Sequence, residues 1–300
     1  MIIIAFDEDS KLLGGYGDRI VGLMSCRAIA ELMGREFRIH WTKENIEPYF
    51  DYTKYKYDNQ KNTNPIIYDL IDNRTKKDYF IMSPRILPEP IIKFYLNHDI
   101  CQDIYKNITF SGKNYEADMF RFYKTLYTDI FIPTKIIHDK INELISPENQ
   151  IPIVGIQIRA GDIYIQGIWG NSYKALDSPE KTIPDILQAI RAHLDLSFTE
   201  YKVFLTSDYN EIYRLALEIW KPEQLVYLNS LVQHMDRHPS GDFSKILVDN
   251  YILSQKTARL YISDWSNYGR VAALSSVHDN IYNLQCVALN KGRLLSKGDL

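Results

Sequence analysis

Hydrophobic and polar positions change rhythm halfway along the chain. From about residue 151 onward, short apolar runs alternate with segments of helical periodicity, the rhythm of a parallel sheet built from strand and helix units. Ile153, Val154, Ile156 and Ile158 form a nearly continuous apolar strand, as expected where helices cover both faces of a sheet. TIPDILQAIRAHL then carries Ile183, Ile186, Leu187, Ile190 and Leu194 at helical spacing. Beyond it YKVFLTSD predicts a strand, NEIYRLALEIW a helix, LVYLNS a strand, SKILVDNYILSQ a helix, RLYISD a strand and NYGRVAAL a helix. This succession predicts a doubly wound domain.

The first half opens in the same way. IIIAF predicts a strand, residues 18–34 a helix whose buried stripe is Val21, Met24, Ala28 and Leu32, and FRIHW a second strand. After residue 42 the pattern weakens: TKYKYDNQKNTN reads as a mobile polar loop, and RILPEP at 85–90 as a break. KIIHDKINELI is helical, and SPENQIP at 146–152 suits a linker, which divides the chain into domains 1–148 and 149–300.

Composition narrows the classes. The 300 residues are 45% hydrophobic and carry a net charge of -3, enough for sizeable cores and contrary to binding nucleic acid by backbone neutralisation. Cys26, Cys101 and Cys286 stand apart, without the spacing of a disulfide framework or a zinc site. No apolar run approaches the ~20 residues of a membrane span, and Asp7, Glu8 and Asp9 interrupt the first one, so a soluble cytoplasmic protein is expected.

In an open parallel sheet ligands bind beyond the carboxyl ends of strands. Four such ends here are polar. IQIRAGD places Arg159 and Asp162 after a buried strand, either as a local ion pair or as a site. Asp208, after VFLTS, suits a helix N-cap better than a ligand contact. Asp249 lies on an apolar helix, where a charge can simply face water. Ser263, Asp264 and Ser266 precede a helix that they could cap, or whose free N–H groups could hold phosphate. The opening GGYGDR has the GxG of a dinucleotide loop without its third glycine, which supports a nicotinamide site weakly. Asp7 to Asp9 read as a solvated acidic loop, and His234 and His238 sit among Pro and Gly, unsuited to a helical zinc pair.

Taken in order, GGYGDRIVGLMSCRAIAELMGREFRI, FYKTLYTDIFIPTKIIHDKINEL, IVGIQIRAGD, VFLTSD and ILVDNYILSQKTARLYISDWSNYGRVA resemble the GDP-fucose-dependent fucosyltransferases of the α1,6 type, over most of the chain. The resemblance implies an α/β fold of the GT-B type, two facing Rossmann-like domains with the nucleotide held mainly by the C-terminal one. It implies transfer of L-fucose to a glycan hydroxyl with inversion, and no metal ion or other cofactor. Arg159 falls on the family's arginine that grips the donor pyrophosphate, and Asp162 on the aspartate of the same signature. Asp249 falls where guanine is recognised, Asp208 and Ser266 on further nucleotide contacts, and Gly15, Tyr16 and Gly17 on a turn against the donor phosphates whose helix Asp18 would cap.

Two positions depart from the family. Its histidine two residues before the arginine is Gln157, which can hydrogen-bond but carries no charge. No carboxylate occurs in residues 163–167, where the family is expected to place its base. The competing expectations are the same fold with another donor such as GDP-mannose, a non-catalytic nucleotide-sugar or glycan binder, and, third, a dehydrogenase.

Overall fold

The computed structural model describes residues 1–9, 13–58, 65–70, 90–98, 121–148, 150–161, 164, 176–228, 235, 243–263 and 265–284, apart from the side chain of Leu32. The chain divides into two compact units, Met1–Thr134 and Lys135–Leu300. The division falls ahead of the 146–152 segment, because the helix Lys135–Leu144 (here α2) packs within the second unit.

The first unit is built on β1 (Ile2–Phe6), whose five residues are all buried. That burial is why IIIAF carries no polar position: both faces of a central parallel strand are covered. Parallel partners flank it in the order β2–β1–β5–β4, with β2 Phe37–Trp41, β4 Ile66–Asp69 and β5 Ile92–Tyr95. At the edge, β2 buries Phe37, Ile39 and Trp41 while Arg38 and His40 are half-buried, the period-two signature of FRIHW. β3 (Phe50–Asp51) and β6 (Ile132–Pro133) form a separate antiparallel pair. Helix α1 (Tyr16–Leu32) begins two residues earlier than its pattern predicts, and Val21, Met24 and Ala28 are buried as expected. Gly22 lies so close to the Leu96 carbonyl that any Cβ would collide with it.

The second unit is a five-stranded parallel sheet in the order β11–β10–β7–β8–β9. Its strands are β7 (Ile153–Ile158), β8 (Lys202–Ser207), β9 (Leu225–Val226), β10 (Arg259–Ile262) and β11 (Ile281–Asn283). The helices α3 (Pro179–Asp195), α4 (Ile212–Leu217), α5 (Ser244–Gln255) and α6 (Asn267–Leu274) connect them, the last two with the bounds that their sequence predicts. Ile183, Ile186, Leu187, Ile190 and Leu194 are all buried in one cluster with Val154, Ile156 and Ile158. Helical and strand periodicities therefore meet in a single core, the consistency that specifies a fold.

Candidate functional site

The order of the second sheet fixes where a ligand would sit. From β7 the chain runs outward to β8 and β9, then returns to the other side of β7 to lay down β10 and β11. Connections thus diverge between β7 and β10, and a crevice at such a switch point, beyond the carboxyl ends of the strands, is the usual nucleotide site of an open parallel sheet.

The side chains after these strand ends are interlocked. The Arg159 backbone N–H donates to Ser263 Oγ at 2.9 Å, and its Nη1 donates to Asp208 Oδ2 at 2.7 Å. Asp208, 6% exposed, also accepts from Ala160 N at 2.6 Å and Gly161 N at 2.9 Å. It does not cap α4, whose N-cap is Glu211; it is spent on shaping the turn after β7 and holding the arginine. Gly161 adopts φ +132°, a conformation that side-chain-bearing residues rarely tolerate, which explains the glycine of RAGD. Trp265 Nε1 donates to the Arg159 carbonyl at 3.2 Å. Asp162, the expected partner of Arg159, lies outside the described residues; among those described, Arg159 pairs with Asp208.

Gln157, at the end of β7, ties the two sides of the switch point together. Its Oε1 accepts from Ser263 N at 3.3 Å, and its Nε2 donates to Ser266 Oγ at 3.4 Å. Ser266 caps α6 by accepting from Gly269 N at 3.4 Å. A Cβ on Gly269 would strike the Gln157 amide oxygen, so this glycine is demanded by close approach.

Asp249 does not face water. It is 1% exposed, and its Oδ2 accepts from Thr206 Oγ1 at 2.8 Å and Lys245 Nζ at 2.9 Å, while Oδ1 has no hydrogen-bond partner. Burial pushes its carboxyl up, against the opposing pull of the Lys245 ammonium and the Thr206 hydroxyl. Lys245, itself 5% exposed, also donates to the Leu228 carbonyl at 3.2 Å. Nothing in the sequence reading singled out Lys245; its spacing four residues before Asp249 on one helix face is the signal that was there to find.

In the first unit the glycine turn is a helix-start device. Gly14 takes φ +79°, and the Gly15 N–H donates to Asp18 Oδ2 at 2.9 Å, so Asp18 folds back on the turn as its capping role requires. Tyr16 is 2% exposed and shares a hydrogen bond of 3.0 Å with the Tyr127 hydroxyl, and Gly17 is buried in the first turn of α1. Arg19 is wholly buried: it forms a two-pronged ion pair with Glu44, and its Nε donates to the Gly14 carbonyl at 3.3 Å.

The acidic segment at 7–9 divides in a way the sequence did not predict. Glu8 and Asp9 are exposed, but Asp7 is buried beyond β1, 2.5 Å from Lys93 Nζ, 3.3 Å from the Tyr95 hydroxyl and 3.2 Å from His40 Nδ1. Burial alone would push the Asp7 carboxyl up, but the His40 and Lys93 contacts outweigh it and hold it well below the usual carboxylate range. Among the described residues no three His, Cys, Asp or Glu side chains gather closely enough to hold a metal ion, and no helix is long and apolar enough to cross a membrane. His234 and His238 lie outside those residues.

Two parallel α/β units, the second with an arginine and a capped helix at its switch point, define the GT-B type of fold. Solved fucosyltransferases share it. NodZ α-1,6-fucosyltransferase, of Bradyrhizobium, in crystals soaked with GDP-fucose matches with a TM-score of 0.60 and 15% identity, over 94% of each chain. An arginine-to-lysine mutant of Arabidopsis thaliana FUT1 in complex with GDP matches with a TM-score of 0.57 and 14% identity, over 94% of this chain and 69% of that one. POFUT1 in complex with GDP matches with a TM-score of 0.51 and 11% identity, over 93% and 96%. No protein-family model and no curated protein sequence matches the chain.

Proposed function

We propose that the protein is an inverting fucosyltransferase that moves L-fucose from GDP-fucose to a hydroxyl of a glycan acceptor, as the α1,6-type resemblance implies. The observation that carries this reading is Arg159, fixed at the switch point by Asp208 and Ser263, in a fold shared with proteins solved with GDP-fucose or GDP.

The chemistry follows from charge. As the bond from C1 of fucose to the β-phosphate breaks, negative charge grows on the departing GDP. A guanidinium is permanently charged and presents five N–H donors in a planar fork, and Asp208 engages it through a single Nη1 bond. It can therefore brace the pyrophosphate while the carboxylate prevents the side chain from swinging away. The α6 amino terminus adds backbone N–H groups and the positive end of the helix dipole at the same switch point. Gln157 orients the Ser263 and Ser266 supports of that end, the task left to an uncharged residue where the family carries a histidine.

The acceptor oxygen attacks C1 from the face opposite GDP, giving an α-linked fucoside. Asp208 is committed to three bonds and is not available as the base. In this reading C1 passes through a loose oxocarbenium-like state that needs little base assistance, and the acceptor proton is lost late, to Asp162, to an N-terminal acid or to water. Asp249 recognises guanine, and in the first unit Tyr16 anchors the turn of Gly15 and Gly17 from within the core.

Calorimetry with GDP, UDP, ADP and GDP-fucose, followed by release of GDP from GDP-fucose, tests the reading. Selective GDP binding with turnover supports it. Binding only UDP or ADP would withdraw it, and equal use of GDP-mannose would move the assignment to another donor sugar.

A further inference from the structure

Lys245 has no part in the bond-breaking chemistry above, yet its surroundings are unusual. An ammonium 5% exposed and a carboxylate 1% exposed sit one helical turn apart on α5, at 2.9 Å. Each is incompletely matched. Asp249 Oδ1 has no partner, although buried carboxylate oxygens almost always find one. Lys245 has three N–H donors and two acceptors, Asp249 Oδ2 and the Leu228 carbonyl. One carboxylate oxygen and one N–H of this ion pair therefore remain unmatched, next to Thr206 near the carboxyl end of β8.

The Watson–Crick edge of guanine supplies the complement in order: the O6 acceptor, then the N1–H donor, then the exocyclic amine. Adenine presents donor and acceptor in the reverse order, and its C2–H adds nothing. Accepting the GDP-sugar reading of the site, we infer that Lys245 is a specificity-determining residue, donating to guanine O6 while Asp249 Oδ1 accepts from N1–H. An aspartate alone would reward any base with a donor in reach; the adjoining ammonium requires an acceptor beside that donor. It also offsets the carboxylate's charge when the site is empty, which explains how an acid this buried persists there.

The test pairs a ligand change with a residue change. 6-Thioguanosine diphosphate keeps N1–H and the amine but replaces O6 with sulfur, a weak acceptor. Wild-type protein should bind it about tenfold more weakly than GDP, a 1.4 kcal/mol difference. Lys245→Met should bind both alike, and both more weakly than the wild type binds GDP. Because that variant strands a buried charge, the double variant Lys245→Met/Asp249→Asn is the companion, uncharged and of similar shape; it too should lose the preference. Equal affinity of the wild type for the two ligands overturns the inference without any variant, as does a variant that retains the tenfold preference. Failure of the wild type to bind GDP at all would instead overturn the donor reading, and this inference with it.

Discussion

Asp208 binds a guanidinium and two backbone amides at once, so its removal should be felt beyond a lost charge. In Asp208→Ala the Ala160 and Gly161 N–H groups lose their acceptor and Arg159 its tether. We expect stability to fall by about 1–3 kcal/mol, read from urea unfolding, and turnover to fall because the arginine is no longer preorganised. Arg159→Ala should keep the fold and lose roughly 3–4 kcal/mol of transition-state stabilisation, a drop in kcat/KM on the order of 10²–10³-fold. Near wild-type GDP release from a folded Arg159→Ala protein would sink the assignment. The sequence marked both residues without joining them: it offered Arg159 its neighbour Asp162, which lies outside the described residues, and Asp208 a capping role that Glu211 takes instead. Local spacing cannot reveal a partner 49 positions away that only the parallel pairing of β7 with β8 brings alongside.

At the scale of elements, the helix that closes the switch point depends on its first turn. Ser266→Ala removes the α6 cap and should cost about 1 kcal/mol. Gly269→Ala forces a Cβ against the Gln157 amide and should weaken GDP binding as well as stability, since the same amide supports Ser263. Matched thermal melts and GDP titrations of the two variants separate the effects: equal GDP affinity in Gly269→Ala and wild type would show that the Gln157 network does not support the site. Helix α5 was legible residue for residue, yet its charged position was not. Asp249 looked like a solvent-facing charge because an apolar helix crossing a sheet shows its buried faces all around, and the sequence does not say which face meets the strand ends. The helices predicted over 182–194 and 267–274 were found because their apolar positions recur at the helical period, which needs no knowledge of partners. Strands β3, β4, β5, β6 and β11 were missed; none lies in the regular alternation of apolar runs and helical segments that revealed β9 and β10, although those are as short.

At the scale of the molecule, paired carboxylates set how stability responds to acid. Burial would raise the Asp129 carboxyl, but hydrogen bonds from Lys54, Tyr55 and Arg27 bring it down to about 2. An acid with a lowered folded-state value contributes stability above its unfolded value and loses it as pH falls through the folded one. The stability gap between wild type and Asp129→Asn should accordingly be full at neutral pH and close between about pH 4 and pH 2, as denaturant midpoints across that range would show. A gap that persists unchanged at pH 2 would mean the loss is packing rather than charge. What the sequence by itself determined is the alternation of strand and helix, the parallel sheets this implies and the apolar stripes of the core, because each depends on periodicity within a dozen residues. Only the tertiary structure decided that Arg159 belongs to Asp208, that Asp249 shares Lys245 and Thr206, that Asp7 is buried among His40, Lys93 and Tyr95, and that Lys135–Leu144 groups with the second unit. Those are long-range pairings of polar groups, fixed by which strand ends lie side by side, and strand order leaves no periodic trace in the chain.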